Sequence, residues 1–239
     1  MKISSATSVG KIRAVNEDSF FVSEIGKSGA LLAVVADGMG GHNAGEVASA
    51  ETVNTLKDSI IETDIPTKEL LLQAIDCANN SVYKMSKNTP SLHGMGTTVT
   101  ACVISGDKVT AAQVGDSRLY LVRDDKITQI TKDHSLVEML VESGEITKED
   151  AKHHPQKNVI TRAIGTNSSV ETDIYEFSLK KEDVLLLCSD GLVNMVEDEK
   201  ILSIITDTAD FKALANVLVK EAETAGGHDN ITVVLIKFD

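Results

Sequence analysis

Tryptophan is absent from the 239-residue chain and aromatic residues reach only 3 % of it, so any core has to be built from aliphatic side chains. Proline occurs three times, at Pro66, Pro90 and Pro155, and no Pro-, Gly- or Ser-rich linker divides the chain. Cysteine also occurs three times. Cys77, Cys102 and Cys188 lie inside apolar segments and form no Cys-x-x-Cys pair, which excludes a disulfide framework and speaks for a reducing, cytoplasmic compartment. Basic clusters are missing too. Lys and Arg total 23 against 36 Asp and Glu, a formal net charge of −13. Nucleic-acid backbones and anionic membrane surfaces both need clustered positive charge, so neither is an expected partner. The longest apolar run, Ala30–Ala36, falls far short of the ~20 residues that span a bilayer. The first ten residues carry no apolar signal core.

Hydrophobic residues nevertheless make up 42 % of the chain, enough for one large domain over residues 1–239. Strand patterns fall at Ile3–Val9, Ser19–Ile25 and Ala30–Ala36, followed by helical patterns at Ala44–Ile61 and Thr67–Lys87. In the second helix Leu71, Ile75, Ala78, Val82 and Met85 recur at spacings that line one face. A meander is expected at Thr97–Ile104, Val109–Val114, Leu119–Arg123 and Ile127–Thr131, with Asp124-Asp125 as a tight turn. A short helix at His134–Ser143 precedes a polar stretch, Gly144–Asn158, that reads as a mobile flap or as a solvated excursion. Strands at Thr172–Leu179 and Val184–Ser189, helices at Asp198–Ile205 and Phe211–Thr224, and a strand at Ile231–Phe238 close the pattern. This grouping is not βαβ alternation. It predicts an α+β fold with antiparallel sheets and helices packed outside.

One feature recurs. Apolar strands end at, or begin just after, an aspartate, usually beside a glycine: Asp37-Gly38, Gly115-Asp116, Asp190-Gly191, Asp229-Asn230 and, near the start, Glu17-Asp18. Each alone is a turn signal. If the strand ends lie side by side, several carboxylates meet at one edge of the core. Such a cluster repels itself unless a cation joins it, and an all-oxygen set suits Mg²⁺ or Mn²⁺. Zinc fits poorly, because the cysteines are scattered and the six histidines form no His-Glu-x-x-His pair. The glycine-rich stretch Gly38–Gly45 breaks the dinucleotide-loop spacing, and Gly26-Lys27-Ser28 lacks the glycine a P-loop needs, because Phe21 stands there.

The chain resembles a bacterial type 2C serine/threonine protein phosphatase of the metal-dependent phosphatase family. The resemblance is carried from end to end by Arg13-Ala14-Val15-Asn16-Glu17-Asp18, Asp37-Gly38-Met39-Gly40-Gly41-His42, Gly96-Thr97-Thr98, Val114-Gly115-Asp116-Ser117-Arg118, Asp133-His134-Ser135, Thr161-Arg162-Ala163-Ile164-Gly165, Ser189-Asp190-Gly191-Leu192 and Asp229-Asn230-Ile231-Thr232. It implies a central sandwich of two antiparallel sheets flanked by helix pairs, in four α-β-β-α layers.

It further implies two to three Mn²⁺ or Mg²⁺ ions per chain. Asp37 would bridge two of them, the Gly38 carbonyl would ligate the first, and Asp190 and Asp229 the second. Glu17 and Asp18 would hold metal-bound water, and Asp116 with Asp190 would form a third-metal position. Arg13 would grip the substrate phosphate, for which a guanidinium fork is suited. The implied reaction is direct attack by a metal-bridging hydroxide on phosphoserine or phosphothreonine in proteins, with no phosphoenzyme. Cysteine-nucleophile chemistry would want Arg six residues after Cys, where this chain has Tyr83, Lys108 and Asn194. Aspartate-nucleophile chemistry would want Asp-x-Asp, which is absent. Met39 stands where animal relatives carry a histidine, leaving His42 as the nearest candidate general acid. His228 reads as a supporting residue beside Asp229, and His134 as one that caps or packs its helix. The resemblance also favours a flap at 144–158 that helps select substrates. Expected partners are phosphorylated proteins, including a Ser/Thr protein kinase, for a monomer without stable membrane association. The competing reading is a non-catalytic regulatory module on the same fold.

Overall fold

The computed structural model describes every residue except 28, 41–43 and 64–66. Among the described residues, eleven strands form two antiparallel sheets. The first sheet orders β1 (Lys2–Ser8), β11 (Ile231–Lys237), β10 (Val184–Cys188), β7 (Arg118–Arg123) and β8 (Lys126–Gln129). The second orders β2 (Asp18–Ile25), β3 (Ala30–Met39), β5 (Val99–Ser105), β6 (Lys108–Val114) and β9 (Asp173–Ser178). A two-residue strand, β4 (Gly96–Thr97), pairs with the end of β3.

Alternation within each strand builds the layers. In β3, Leu31, Ala33 and Val35 point into the cluster between the sheets with Leu185, Leu187, Val234 and Ile236. Leu32, Val34 and Ala36 point the other way, under α1 (Ala44–Ile60) and α2 (Lys68–Asn88). On the first sheet, Leu186, Cys188, Val233 and Leu235 face α6 (Asp198–Asp207) and α7 (Leu214–Ala225). Both faces of each central strand are buried, which is why these strands read as unbroken apolar runs. The expected α-β-β-α sandwich is therefore the observed one. The buried stripe expected on α2 is present as Leu71, Ile75, Ala78 and Val82, and Thr67 caps the helix by accepting a bond from the Leu70 N–H at 3.2 Å. Asp124 and Asp125 both take positive φ (50° and 54°), the primed geometry that a two-residue hairpin demands.

Some boundaries differ from the sequence reading. The strand expected over Thr97–Ile104 is divided at Thr98, whose N–H leaves the ladder to donate to the Asp37 carbonyl at 2.8 Å. The helix expected from His134 is α3 (Leu136–Glu142). It starts later because Ser135, not His134, is its cap, accepting from the Glu138 N–H at 3.2 Å. Inside the polar stretch lies a short helix, α4 (Lys148–His153), set by a capping box between Thr147 and Asp150. Another helix that the periodicity did not reveal, α5 (Asp190–Val193), begins on Asp190 itself. Among the described residues, no helix is long and apolar enough to cross a membrane.

The topology brings one end of each sheet to the same edge. Asp18 opens β2 directly opposite Asp37 near the end of β3. Asp116 follows β6, Asp190 follows β10, and Asp229 lies two residues before the start of β11, which runs antiparallel to β10.

Candidate active site

At that edge the structure places a cleft of about 210 Å³ lined by Arg13, Glu17, Asp37, Gly38, Asp116, Asp190 and Asp229, with Met39, Gly40, Thr98, Asn158 and Ile160 completing its walls. Asp18 is buried beneath, its Oδ2 accepting a bond from the Ser189 hydroxyl at 2.7 Å. Every acidic residue expected at the site is thus gathered there, and so is Arg13. His42 lies outside the described residues. His228 is exposed, and its Nε2 lies 3.0 Å from where a Cβ on Gly226 would stand.

Local chemistry explains why these side chains stand where they do. The backbone of Asp37 is held at three points: its N–H donates to Thr98 Oγ1 at 2.9 Å, and its carbonyl accepts from the Thr97 hydroxyl and the Thr98 N–H, both at 2.8 Å. Thr98 in turn shares a hydroxyl bond with buried Ser117 at 2.7 Å. Asn230 fixes the loop before β2. Its Nδ2 donates to the carbonyls of Val9 and Val15, and its Oδ1 accepts from the Glu17 N–H at 2.8 Å. Gly38 and Gly45 touch backbone to backbone. A Cβ at Gly38 would sit 2.1 Å from the Gly45 carbonyl oxygen, and one at Gly45 would sit 2.5 Å from a Glu17 oxygen. Only glycine lets the end of β3, the start of α1 and Glu17 meet. Under Asp116, Arg118 makes a fork with Asp133 (Nε at 3.0 Å, Nη2 at 2.7 Å) and donates to Tyr120 Oη at 2.8 Å. The roles of Thr98, Ser117, Asn230 and the Arg118–Asp133 pair went unassigned in the sequence reading. Their signal was present, since each lies in a motif that carries the family resemblance.

The electrostatics are those of crowded acids. Burial first, then the charges of neighbouring aspartates, pushes Asp18 up to about 7, Asp116 up to about 8 and Asp190 up to about 6. Asp37 is raised well above its usual range by burial and by Asp18, Asp190, Asp116 and Asp229. Glu17 is raised chiefly by burial, against the lowering influence of Arg13. Arg13 reaches Asp229 Oδ2 at 2.9 Å with half of its side chain open to solvent.

The donor set fits a hard divalent cation. It is all oxygen, and the buried Asp18 Oδ1 and Asp190 Oδ1 have no hydrogen-bond partner. The carboxylates face one cleft without closing into a cage: among the described residues, no three acidic, histidine or cysteine side chains form a ready-made metal-holding group. Mutual repulsion opposes such closure, and positive charge placed among the carboxylates removes it.

Comparison with known proteins supports the same reading. The protein phosphatase 2C family matches residues 8–229. The chain is 42 % identical to the serine/threonine phosphatase stp of Listeria monocytogenes serotype 4b, across 98 % of this chain and 94 % of that protein. Among solved structures, the serine/threonine phosphatase of S. agalactiae is 38 % identical and superposes with a TM-score of 0.94, covering 100 % of this chain and 99 % of its own. The catalytic domain of the serine/threonine protein phosphatase PstP, in complex with 2 manganese ions, is 36 % identical with a TM-score of 0.88, covering 100 % of this chain and 98 % of its own. The chain belongs to the protein phosphatase 2C family and, with it, is an enzyme. It is a serine/threonine phosphatase.

Proposed function

We propose that the enzyme hydrolyses phosphoserine and phosphothreonine in proteins at the acidic cleft, using Mn²⁺ or Mg²⁺. The observation that carries this reading is the meeting of Arg13 with the carboxylates of Asp37, Asp190 and Asp229 in one cleft. Asp37, the Gly38 carbonyl, Asp190 and Asp229 would hold two cations, with Asp18 and Glu17 beside them, and Asp116 with Asp190 would hold a third. When bound, the cations lower the pKa of coordinated water and offset charge on the phosphoryl oxygens.

The chain's own groups do the rest. Arg13, at the open rim, is placed to receive phosphate oxygens with its paired N–H groups. Glu17 in the cleft wall and Asp18 beneath it would hold and orient water by accepting its hydrogen bonds. No serine, cysteine or histidine is among the residues described as lining the cleft, and the Thr98 hydroxyl is engaged by the Asp37 N–H and Ser117. That supports direct transfer of phosphate to water with no phosphoenzyme.

The whole chain acts as one catalytic domain with a substrate-contacting flap at residues 144–158. Supporting this, Asn158 lines the cleft, and Lys152 and Lys157 line a larger groove of about 610 Å³ that shares Asp116 and Asp190 with it. Sites phosphorylated by a Ser/Thr protein kinase are its chemical substrates, and the kinase itself is one of them. The cysteines are free, which agrees with a cytoplasmic enzyme, and among the described residues the exposed large hydrophobics are Met1, Ile12, Met139, Val159 and Val217, a small set that agrees with a monomer. A non-catalytic module would have little need of the intact set Arg13, Asp37, Asp190 and Asp229. The test is turnover of a phosphothreonine peptide with Mn²⁺ and with EDTA, beside Asp37→Asn. Turnover that requires the cation and vanishes in the variant is expected. Turnover that survives either change would overturn the assignment.

A further inference from the structure

We infer that His134 is a positioning residue for this reaction, tying the Asp116 loop to the root of segment 144–158. The ring is buried, with 5 % of the residue exposed, and both its nitrogens are engaged. Nδ1 accepts from the Gly115 N–H at 3.2 Å. Nε2 stands 3.2 Å from Asp173 Oδ2 and 3.3 Å from Arg162 Nη1, and that same Nη1 donates to Asp173 Oδ1 at 2.7 Å. Since Nδ1 accepts, the ring proton sits on Nε2 and is given to Asp173.

The main chain of His134 completes the tie. Its N–H donates to the Gly115 carbonyl at 2.9 Å, so residue 115 is held at both of its backbone polar groups by one residue. Its carbonyl accepts from the Thr161 N–H at 2.8 Å, and next to it Ser135 bridges Ile160, which lines the cleft with Asp116. Gly115 takes φ +103°, and a Cβ there would fall 2.5 Å from the Thr98 side chain. The peptide that aims Asp116 is therefore in a conformation that other residues resist; His134 holds it at both polar groups, and Gln113 Nε2 adds a second bond to the Gly115 carbonyl at 2.9 Å. A helix cap or an apolar filler would need none of these bonds. The placement suits an imidazole that sets the direction of Asp116 and the position of the chain at residues 160–162 together.

The inference rests on the phosphatase reading of the cleft. Its test compares wild type with His134→Leu, His134→Asn, His134→Gln, Asp116→Asn and the double variant Asp116→Asn/His134→Leu. Two readouts are taken: kcat and KM on a phosphothreonine peptide, and Mn²⁺ binding by titration calorimetry without substrate. His134→Leu is expected to lower kcat about tenfold while KM moves less than about threefold, the scale of one or two lost hydrogen bonds. It is also expected to weaken the Mn²⁺ site that Asp116→Asn weakens. His134→Asn keeps an acceptor where Nδ1 stood and restores most of the loss, whereas His134→Gln, whose polar end reaches the Nε2 position, does not. The double variant is no worse than Asp116→Asn alone, because both changes remove one function.

A folded His134→Leu with wild-type kcat and Mn²⁺ binding would overturn the inference. So would full additivity in the double variant, or an Asn variant no better than Gln. Should His134→Leu fail to fold, the Asn–Gln pair decides. If wild type turned over no phosphopeptide, the phosphatase reading would fall by itself, and the Mn²⁺ titrations would still decide whether His134 and Asp116 act together.

Discussion

Replacing Asp190 with asparagine should stabilise the protein in EDTA near pH 8 while it disables the enzyme. Burial, and after it the charge of Asp229, raises Asp190 from 3.8 in the unfolded chain to about 6 in the fold. The fold therefore holds the proton to higher pH than the unfolded chain does. Stability contributed by the protonated form is present at low pH, is lost as pH rises through this window, and stays lost above it. Near pH 8, in the absence of cations, the two-unit shift corresponds to roughly 3 kcal/mol of strain from a charged Asp190. An asparagine keeps an oxygen for the Asn194 Nδ2, which now donates to Asp190 Oδ2 at 2.8 Å, and carries no charge.

The variant should then melt roughly 6–12 °C above wild type near pH 8 for a chain of this size. Near pH 5, where the folded Asp190 is mostly protonated and the unfolded one mostly is not, the gap should fall to roughly half. Mn²⁺ at a thousand times its dissociation constant should reverse the order, because it adds about 4.1 kcal/mol to wild type, more than the strain at Asp190, and little to the variant. Thermal unfolding followed by circular dichroism, in EDTA at both pH values and again with Mn²⁺, reads all of this. A variant that melts below wild type in EDTA near pH 8, or a gap that does not shrink on acidification, would refute the picture of a self-repelling cluster.

Arg13→Ala should raise KM for a phosphothreonine peptide by about 10–100-fold, the scale of a charge-assisted fork on phosphate, with a smaller change in Tm, and steady-state kinetics with a melt would check it. Thr98→Val should remove the acceptor of the Asp37 N–H and the partner of Ser117 while keeping the volume, costing about 1–3 kcal/mol by denaturant unfolding and lowering kcat more than KM changes. Asp133→Ala leaves Arg118 without its forked partner. Because Asp133 is only 12 % exposed, the loss should approach the ~3–5 kcal/mol of a broken buried pair, and urea midpoints would show it.

The layers and the site were legible for different reasons. The apolar runs of β3, β5, β10 and β11 fixed their identity because both faces of each are covered, and Asp124-Asp125 announced its hairpin through residues that tolerate positive φ. The misreadings sit where a side chain diverts the backbone. Thr98 splits a strand by sending its N–H to Asp37, and α5 starts on a residue that reads as a turn signal. Such features depend on partners far away in sequence, which periodicity does not register. The same holds for Asn230, whose three bonds reach back to residues 9–17 across more than two hundred positions.

The acidic cleft illustrates the relation most fully. An aspartate at a strand end is a turn former by local chemistry, and in the sequence each of Asp37, Asp116, Asp190 and Asp229 reads that way singly, although in the fold Asp37 lies within β3 and Asp190 opens α5. Antiparallel pairing places the start of one strand beside the end of its neighbour, so a turn residue kept at alternate ends accumulates on one edge of a sheet. Stacking two sheets then sets two such edges together. The fold thus converts a locally favourable choice into a globally unfavourable crowd of charge, visible in the raised values of Asp18, Asp116 and Asp190. A chain under no pressure except stability would relieve that crowd with asparagine or serine at little local cost. Holding five aspartates there, with Thr98, Ser189 and Asn230 spent on keeping their backbones and side chains in place, makes sense when a cation and a phosphate complete the charge balance during turnover.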